Sequence, residues 1–120
     1  MEKINPIVLR IRNEEGNIKT EYTLEFNRAS ILYAEQRGFN IQGLGAKPMT
    51  AIPELFFYAF RMHHPKVTKE QSDDILFNKM GGLSEEVLQR LGELYNAPFT
   101  TLVPDEEEGG TKNAQVETLL

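Results

Sequence analysis

The stretch Ile52-Pro-Glu-Leu-Phe-Phe-Tyr-Ala-Phe-Arg-Met-His-His-Pro65 constrains the chain more than any other. Ile52, Leu55, Phe56, Ala59, Phe60 and His63 recur at the i, i+3, i+4, i+7 spacing of one helix face. Phe57 and Tyr58 then carry apolar surface round towards the opposite side. A helix that is apolar on most of its circumference is buried between other elements, so the rest of the chain is expected to pack around this one. Thr50 is read as its N-cap, Pro53 as a first-turn residue, and His64-Pro65 as its end, because proline restricts the residue before it.

Upstream, residues 4–26 read as a β-hairpin. Ile18, Thr20, Tyr22, Leu24 and Phe26 alternate with charged or polar residues, and Ile7, Leu9 and Ile11 do the same in the first arm. That period of two sends one face to a core and the other to water. Gly16, in the loop Asn13–Asn17, suits the positive φ of a short turn. Arginines of one arm are expected to meet glutamates of the other. Two strands alone are marginal, so the hairpin must lean on a helix or find another strand at its open edge.

Asn27 caps an expected first helix over 28–37, with Gly38 at its C′ position and Phe39 folding back. Residues 40–50 read as a flexible connector. Gly43 and Gly45 lack the pattern and the strand-to-helix setting of a phosphate loop. Thr68-Lys69-Glu70-Gln71 is a capping box that opens a third helix, with Ile75, Leu76 and Met80 on its buried side and Gly81-Gly82 as the stop. Ser84 caps a fourth helix carrying the stripe Val87, Leu88, Leu91, Leu94 and Tyr95, which Pro98 closes. The expected fold is therefore α+β: an N-terminal hairpin followed by about four helices, one domain over residues 1–103, and a flexible acidic tail over 104–120.

Composition narrows the function. At 120 residues, 40% hydrophobic and 26% charged, the chain has the make-up of an ordinary globular domain with one modest core. Asp105, Glu106, Glu107, Glu108 and Glu117 stand against the single Lys112, which puts most of the net charge of −5 in the tail. The body is nearly neutral and has no basic stripe, so nucleic acid is not the expected partner. No apolar run reaches the roughly 18 residues of a membrane span, no signal-peptide layout opens the chain, and cysteine is absent. A cytoplasmic protein without membrane contact is expected.

The residues suited to chemistry form no catalytic constellation. His63 and His64, the only histidines, point about 100° apart on a helix and have no cysteine to complete a zinc site. Asp73-Asp74 and Glu85-Glu86 sit in helical first turns, where the dipole favours acids without any catalysis. Ser30, Ser72 and Ser84 lie in no nucleophile elbow. No catalytic, metal or cofactor-binding residue is assigned, and the chain is not expected to be an enzyme. Phe57, Tyr58 and Arg61 are the candidate partner-binding residues. They fall opposite the face assigned to the core, and aromatics and arginine are the types enriched at hot spots. The competing reading buries them beneath the third and fourth helices. Val116, Leu119 and Leu120 would make a short docking motif, but chance explains them better.

Tyr22-Thr23-Leu24-Glu25-Phe26-Asn27-Arg28, Glu35-Gln36-Arg37-Gly38-Phe39, Lys47-Pro48-Met49-Thr50, Leu55-Phe56-Phe57-Tyr58-Ala59-Phe60 with His63-His64, and Leu91-Gly92-Glu93-Leu94-Tyr95-Asn96-Ala97-Pro98 resemble, in this order, the tail assembly chaperones of long-tailed phages and prophages of Gram-positive bacteria. The resemblance runs from about residue 20 to 103. It implies a mostly helical, non-catalytic, self-associating helper that coats the tape measure protein in the host cytoplasm and leaves before the tail is complete. The tail tube protein is a further partner it allows. A frameshifted longer form is also implied, with the stretch after Val103 as its linker. A permanent virion part, such as a tail or head completion protein, is the alternative from another class.

Overall fold

The computed structural model describes residues 4–102, and the stretch expected to be an acidic tail lies outside them. Two antiparallel strands, β1 (Ile7–Arg12) and β2 (Ile18–Leu24), form the hairpin. Six helical segments follow: α1 (Arg28–Gln36), α2 (Gly43–Ala46), α3 (Pro48–Tyr58), α4 (Lys69–Asp73), α5 (Glu85–Asn96) and α6 (Phe99–Leu102), and α4 runs on into a π-helix over Asp74–Lys79. The α+β architecture is the one the hydrophobic periods predict.

The inner face of the hairpin is Ile7, Leu9 and Ile11 against Leu24, Tyr22 and Thr20, and the outer face pairs Arg10 with Glu21 at 2.9 Å. Ile18 departs from the expected pattern. A bulge between Ile11 and Arg12 makes Ile18 pair with Arg12, so its side chain moves to the outer face and is half exposed. One extra residue reverses every side chain beyond it, which alternation in the sequence alone does not reveal.

Helix ends follow local chemistry closely. Asn27 and Ser30 form a reciprocal capping box at α1, and Thr68 with Gln71 do so at α4. Past α1, the Gly38 N–H donates to the Glu35 carbonyl and the Phe39 N–H to the Ala34 carbonyl, with Gly38 at φ +90°. That is a Schellman closure, which needs a residue without a Cβ penalty. Ser84 accepts from the Val87 N–H to start α5.

Four helical features differ from expectation. α3 begins at Pro48, with Lys47 rather than Thr50 at the cap, so Pro53 lies inside the helix. α3 also ends at Tyr58, and residues 59–63 continue as tight turns in which Phe60, Arg61 and His63 each donate to the carbonyl three residues back. The connector contains α2, where Gly43 packs so near Ala51 that an added Cβ would come within 3.1 Å of the alanine methyl. The π-helix after α4 has no signature in the sequence. It widens the turn so that Ile75 and Leu76 are buried while Phe77 stays 56% exposed.

The core holds Leu24 and Phe26 from the hairpin end, Ile31, Ala34 and Phe39 from α1 and its closure, Leu55, Phe56, Ala59 and Phe60 from α3 and its turn, Ile75 and Leu76, and Leu91, Leu94 and Tyr95 from α5. Phe56, Phe60 and Tyr22 interlock edge to face, with centroids 5.1 and 5.2 Å apart. α3 is thus the element against which hairpin, α1, α4 and α5 all close.

Candidate partner-binding site

Phe57 and Tyr58 end α3, and Arg61 stands in the turn beyond it. Tyr58 is not on an outer face. It is 7% exposed, with its ring 5.6 Å from Phe39 and 6.1 Å from Tyr33. Burial, reinforced by the Glu54 charge, pushes the Tyr58 hydroxyl above the ordinary tyrosine range. Phe57 is half-buried at the margin of the core, 5.0 Å from the Tyr58 ring. Arg61 is half-buried and lays its guanidinium 3.8 Å from the Tyr33 ring centre, while Arg37 sits 3.4 Å from the same ring.

The space these residues enclose with Phe60 and His64 is about 20 Å³, room for one water. The sequence reading placed the three residues opposite the core. The structure corrects that placement for Tyr58, because α1 and its Schellman closure cover the second face of α3 with Tyr33 and Phe39. The cover comes from a helix earlier in the chain, not from the later ones considered in the sequence.

An open apolar surface lies elsewhere, between α1 and the junction of α5 with α6. Arg28, Ile31, Leu32 and Glu35 from α1 face Pro98 and Phe99 across a groove of about 210 Å³. Leu32 is 48% exposed and Phe99 36% exposed. Arg28 and Glu35, two turns apart on α1, mark the groove ends with opposite charges. A wider cleft of about 650 Å³ continues past Glu35 and Phe99 along Gly38, Phe39, Asn40, Ile41, Tyr95 and Asn96. Burial raises the Tyr95 hydroxyl above its usual range, and Glu35 adds to the effect.

Leu32 carried a signal that the sequence reading passed over. It is an apolar residue about 100° from the Ile31–Ala34 stripe that α1 buries. Phe99 was passed over because Pro98 was taken as the end of the last helix, whereas a further helical turn follows it.

The histidines hold the hairpin. His64 Nε2 accepts from the Thr23 N–H at 2.9 Å, so the neutral ring carries its proton on Nδ1. His63 Nε2 lies 2.9 Å from Glu25 Oε1. Thr23 and Glu25 alternate along the outer edge of β2, and the two adjacent rings reach them in turn. Burial, and then the neighbouring His63, hold the His64 pKa below the ordinary histidine value.

Asp73 and Asp74 have local roles as well, although Asp73 closes α4 instead of lying in a helical first turn as expected. Asp73 accepts from Lys69 Nζ at 2.8 Å, and Asp74 accepts from the Asn78 amide. Among the described residues no group of three or more His, Asp or Glu is placed to hold a metal ion, and no helix is long and apolar enough to cross a membrane.

The chain matches, over residues 5–120, a family described as a domain of unknown function (DUF5055), and it belongs to that family. The match extends through the acidic stretch beyond the described residues. Among curated proteins and among solved structures, none is similar enough to be matched to it.

Proposed function

We propose that this protein is a phage tail assembly chaperone that binds the tape measure protein, and through it or beside it tail tube subunits, in the bacterial host cytoplasm. It acts by lending apolar surface and takes no part in covalent chemistry. The observation that carries the reading is the groove between α1 and the α5–α6 junction. Its floor and walls are aliphatic and aromatic, it is open to solvent among the described residues, and its ends carry one positive and one negative charge. An amphipathic helix docks in such a groove by its i, i+3, i+4 side chains. A tape measure protein is a long, largely helical chain that presents such side chains repeatedly, and many weak contacts along one chain give avidity while each remains reversible.

The groove, rather than the filled space around Tyr58, is the surface this reading assigns. Phe57 and Arg61 keep partial exposure and form a second, smaller patch. The test is capture of the tape measure protein encoded with this chain, on immobilised wild type and on a Leu32→Asp/Phe99→Asp variant. Both positions are exposed, so the variant should melt near wild type and lose at least about tenfold in affinity, which is roughly 1.4 kcal/mol. Undiminished capture would overturn the groove assignment. A Phe57→Ala/Arg61→Ala variant compares the smaller patch. Mass spectrometry of purified particles should find the chain missing, and its presence in stoichiometric amount would favour a virion component.

A further inference from the structure

α6 sets Phe99 in the wall of the α1 groove, and the chain passes out of the described residues just beyond, after Leu102. The stretch 103–120 therefore starts beside the groove. Residues 104–115 carry no large apolar side chain, and Val116, Leu119 and Leu120 then fall at i, i+3 and i+4. That is the spacing with which one helix face fills an apolar groove. In the sequence alone these three residues have nothing to receive them; the folded chain puts a receptor at the head of their own segment. The family match runs to residue 120, so the segment belongs to the same unit as the groove.

We infer that the groove is a docking site for residues 112–120 of this chain, which seat Val116, Leu119 and Leu120 against Ile31, Leu32 and Phe99 and cover the groove until a client displaces them. The inference shares the groove with the chaperone reading but needs no client, so either can fail alone.

Tethering favours this occupant over a free one. Val116 follows Phe99 by 17 residues. A chain of that length has a root-mean-square span of about 20–25 Å. The groove runs from Arg28 to Glu35, about 10 Å along α1. The segment is thus held over the groove at an effective concentration on the order of millimolar, and a short apolar face too weak to bind from solution is retained.

Charge sets the direction. Arg28 and Glu35 are the charged residues that line the groove, at opposite ends. As a helix, residues 112–120 carry Lys112 on the face of Val116, Leu119 and Leu120, one turn before Val116, with Glu117 farther along. Laid antiparallel to α1, the segment brings Lys112 to Glu35, Val116 level with Leu32, and Glu117 towards Arg28. Laid parallel, it sets Lys112 against Arg28 and Glu117 towards Glu35, like charge on like at both ends. The antiparallel placement is the complementary one.

The test uses the full chain without any client. Because the sequence has no cysteine, Leu32→Cys places a single thiol in the groove at an exposed position. Its rate of reaction with a dianionic aromatic disulfide reagent is compared with the native tail and with Leu119→Asp/Leu120→Asp. The aspartates should speed the reaction at least about threefold, as a millimolar contact held at a few millimolar effective concentration requires. Added tail charge by itself would repel the reagent and slow it. A thiol at Phe77→Cys, exposed on the π-helix, should react alike with either tail. Mild oxidation of a Leu32→Cys/Val116→Cys chain should also close a disulfide within one chain, several-fold faster than in Phe77→Cys/Val116→Cys. Equal rates at position 32 with the two tails, equal acceleration at positions 32 and 77, equal crosslinking of the two pairs, or a crosslinked product of doubled mass would overturn the inference.

Discussion

Replacing His64 with phenylalanine isolates one hydrogen bond that ties the hairpin to the turn after α3. The imidazole meets Tyr22 edge to face at 5.1 Å and Phe60 at 6.4 Å, and a phenyl ring of similar size keeps both contacts. What disappears is the lone pair that accepts from the Thr23 N–H. The net worth of such a bond is about 0.5–1.5 kcal/mol, and half-buried Thr23 can regain part of it from water, so His64→Phe should cost about 1 kcal/mol. His64→Ala removes the two ring contacts as well, worth about 0.5–1.5 kcal/mol each, and should cost about 2–4 kcal/mol. For a domain of this size 1 kcal/mol is about 4–8 °C in Tm.

The same bond predicts a pH dependence. Burial and His63 depress the folded-state pKa of His64. The unfolded chain therefore binds the proton first as pH falls, and stability declines until the folded ring is protonated too. Nearby Glu25 pairs with His63, which is present in both proteins and cancels in the comparison. Urea titrations at about pH 8 and about pH 5.5 straddle the ordinary histidine value of about 6.5, and wild type should lose more stability across that window than His64→Phe. A variant as stable as wild type at the higher pH, or with an identical pH dependence, would refute the role given to this bond.

Phe56→Ala, at a fully buried ring, should cost about 3–5 kcal/mol by chemical denaturation, whereas Phe77→Ala on the exposed face of the π-helix should stay within about 0.5 kcal/mol. Tyr58→Ala should lower stability by an amount typical of a core aromatic, about 3 kcal/mol or more, and Arg61→Ala should cost under about 1 kcal/mol through its lost contact with the Tyr33 ring, both by chemical denaturation. Ser72 Oγ is fully buried without a hydrogen-bond partner among the described residues, so Ser72→Ala should be neutral or stabilise by up to about 1 kcal/mol in the same assay. Gly82 lies at φ +103°, and Gly82→Ala should cost about 1–2 kcal/mol while leaving the helical circular dichroism signal in place.

Wherever structure is set by neighbours along the chain, it was legible in the residues. Asn27 with Ser30, Thr68 with Gln71, and Gly38 before Phe39 act over three to five residues, and each terminus sits where those side chains place it. The alternation in the hairpin and the apolar excess of the central helix likewise announced a two-stranded unit leaning on a buried helix, because period and burial are coupled.

The tertiary structure decided which surfaces meet. α1 folds back on α3 and takes Tyr58 into the core, while Leu32 and Phe99, unremarkable in the sequence, are brought together into the open groove. The bulge at Arg12 turns Ile18 outward, and the π-helix releases Phe77. His63 and His64 find Glu25 and Thr23 some forty residues away. Periodicity records how apolar each side of a helix is. Which neighbour covers that side depends on chain reversals that act between residues far apart in sequence, and only the packed molecule selects among them.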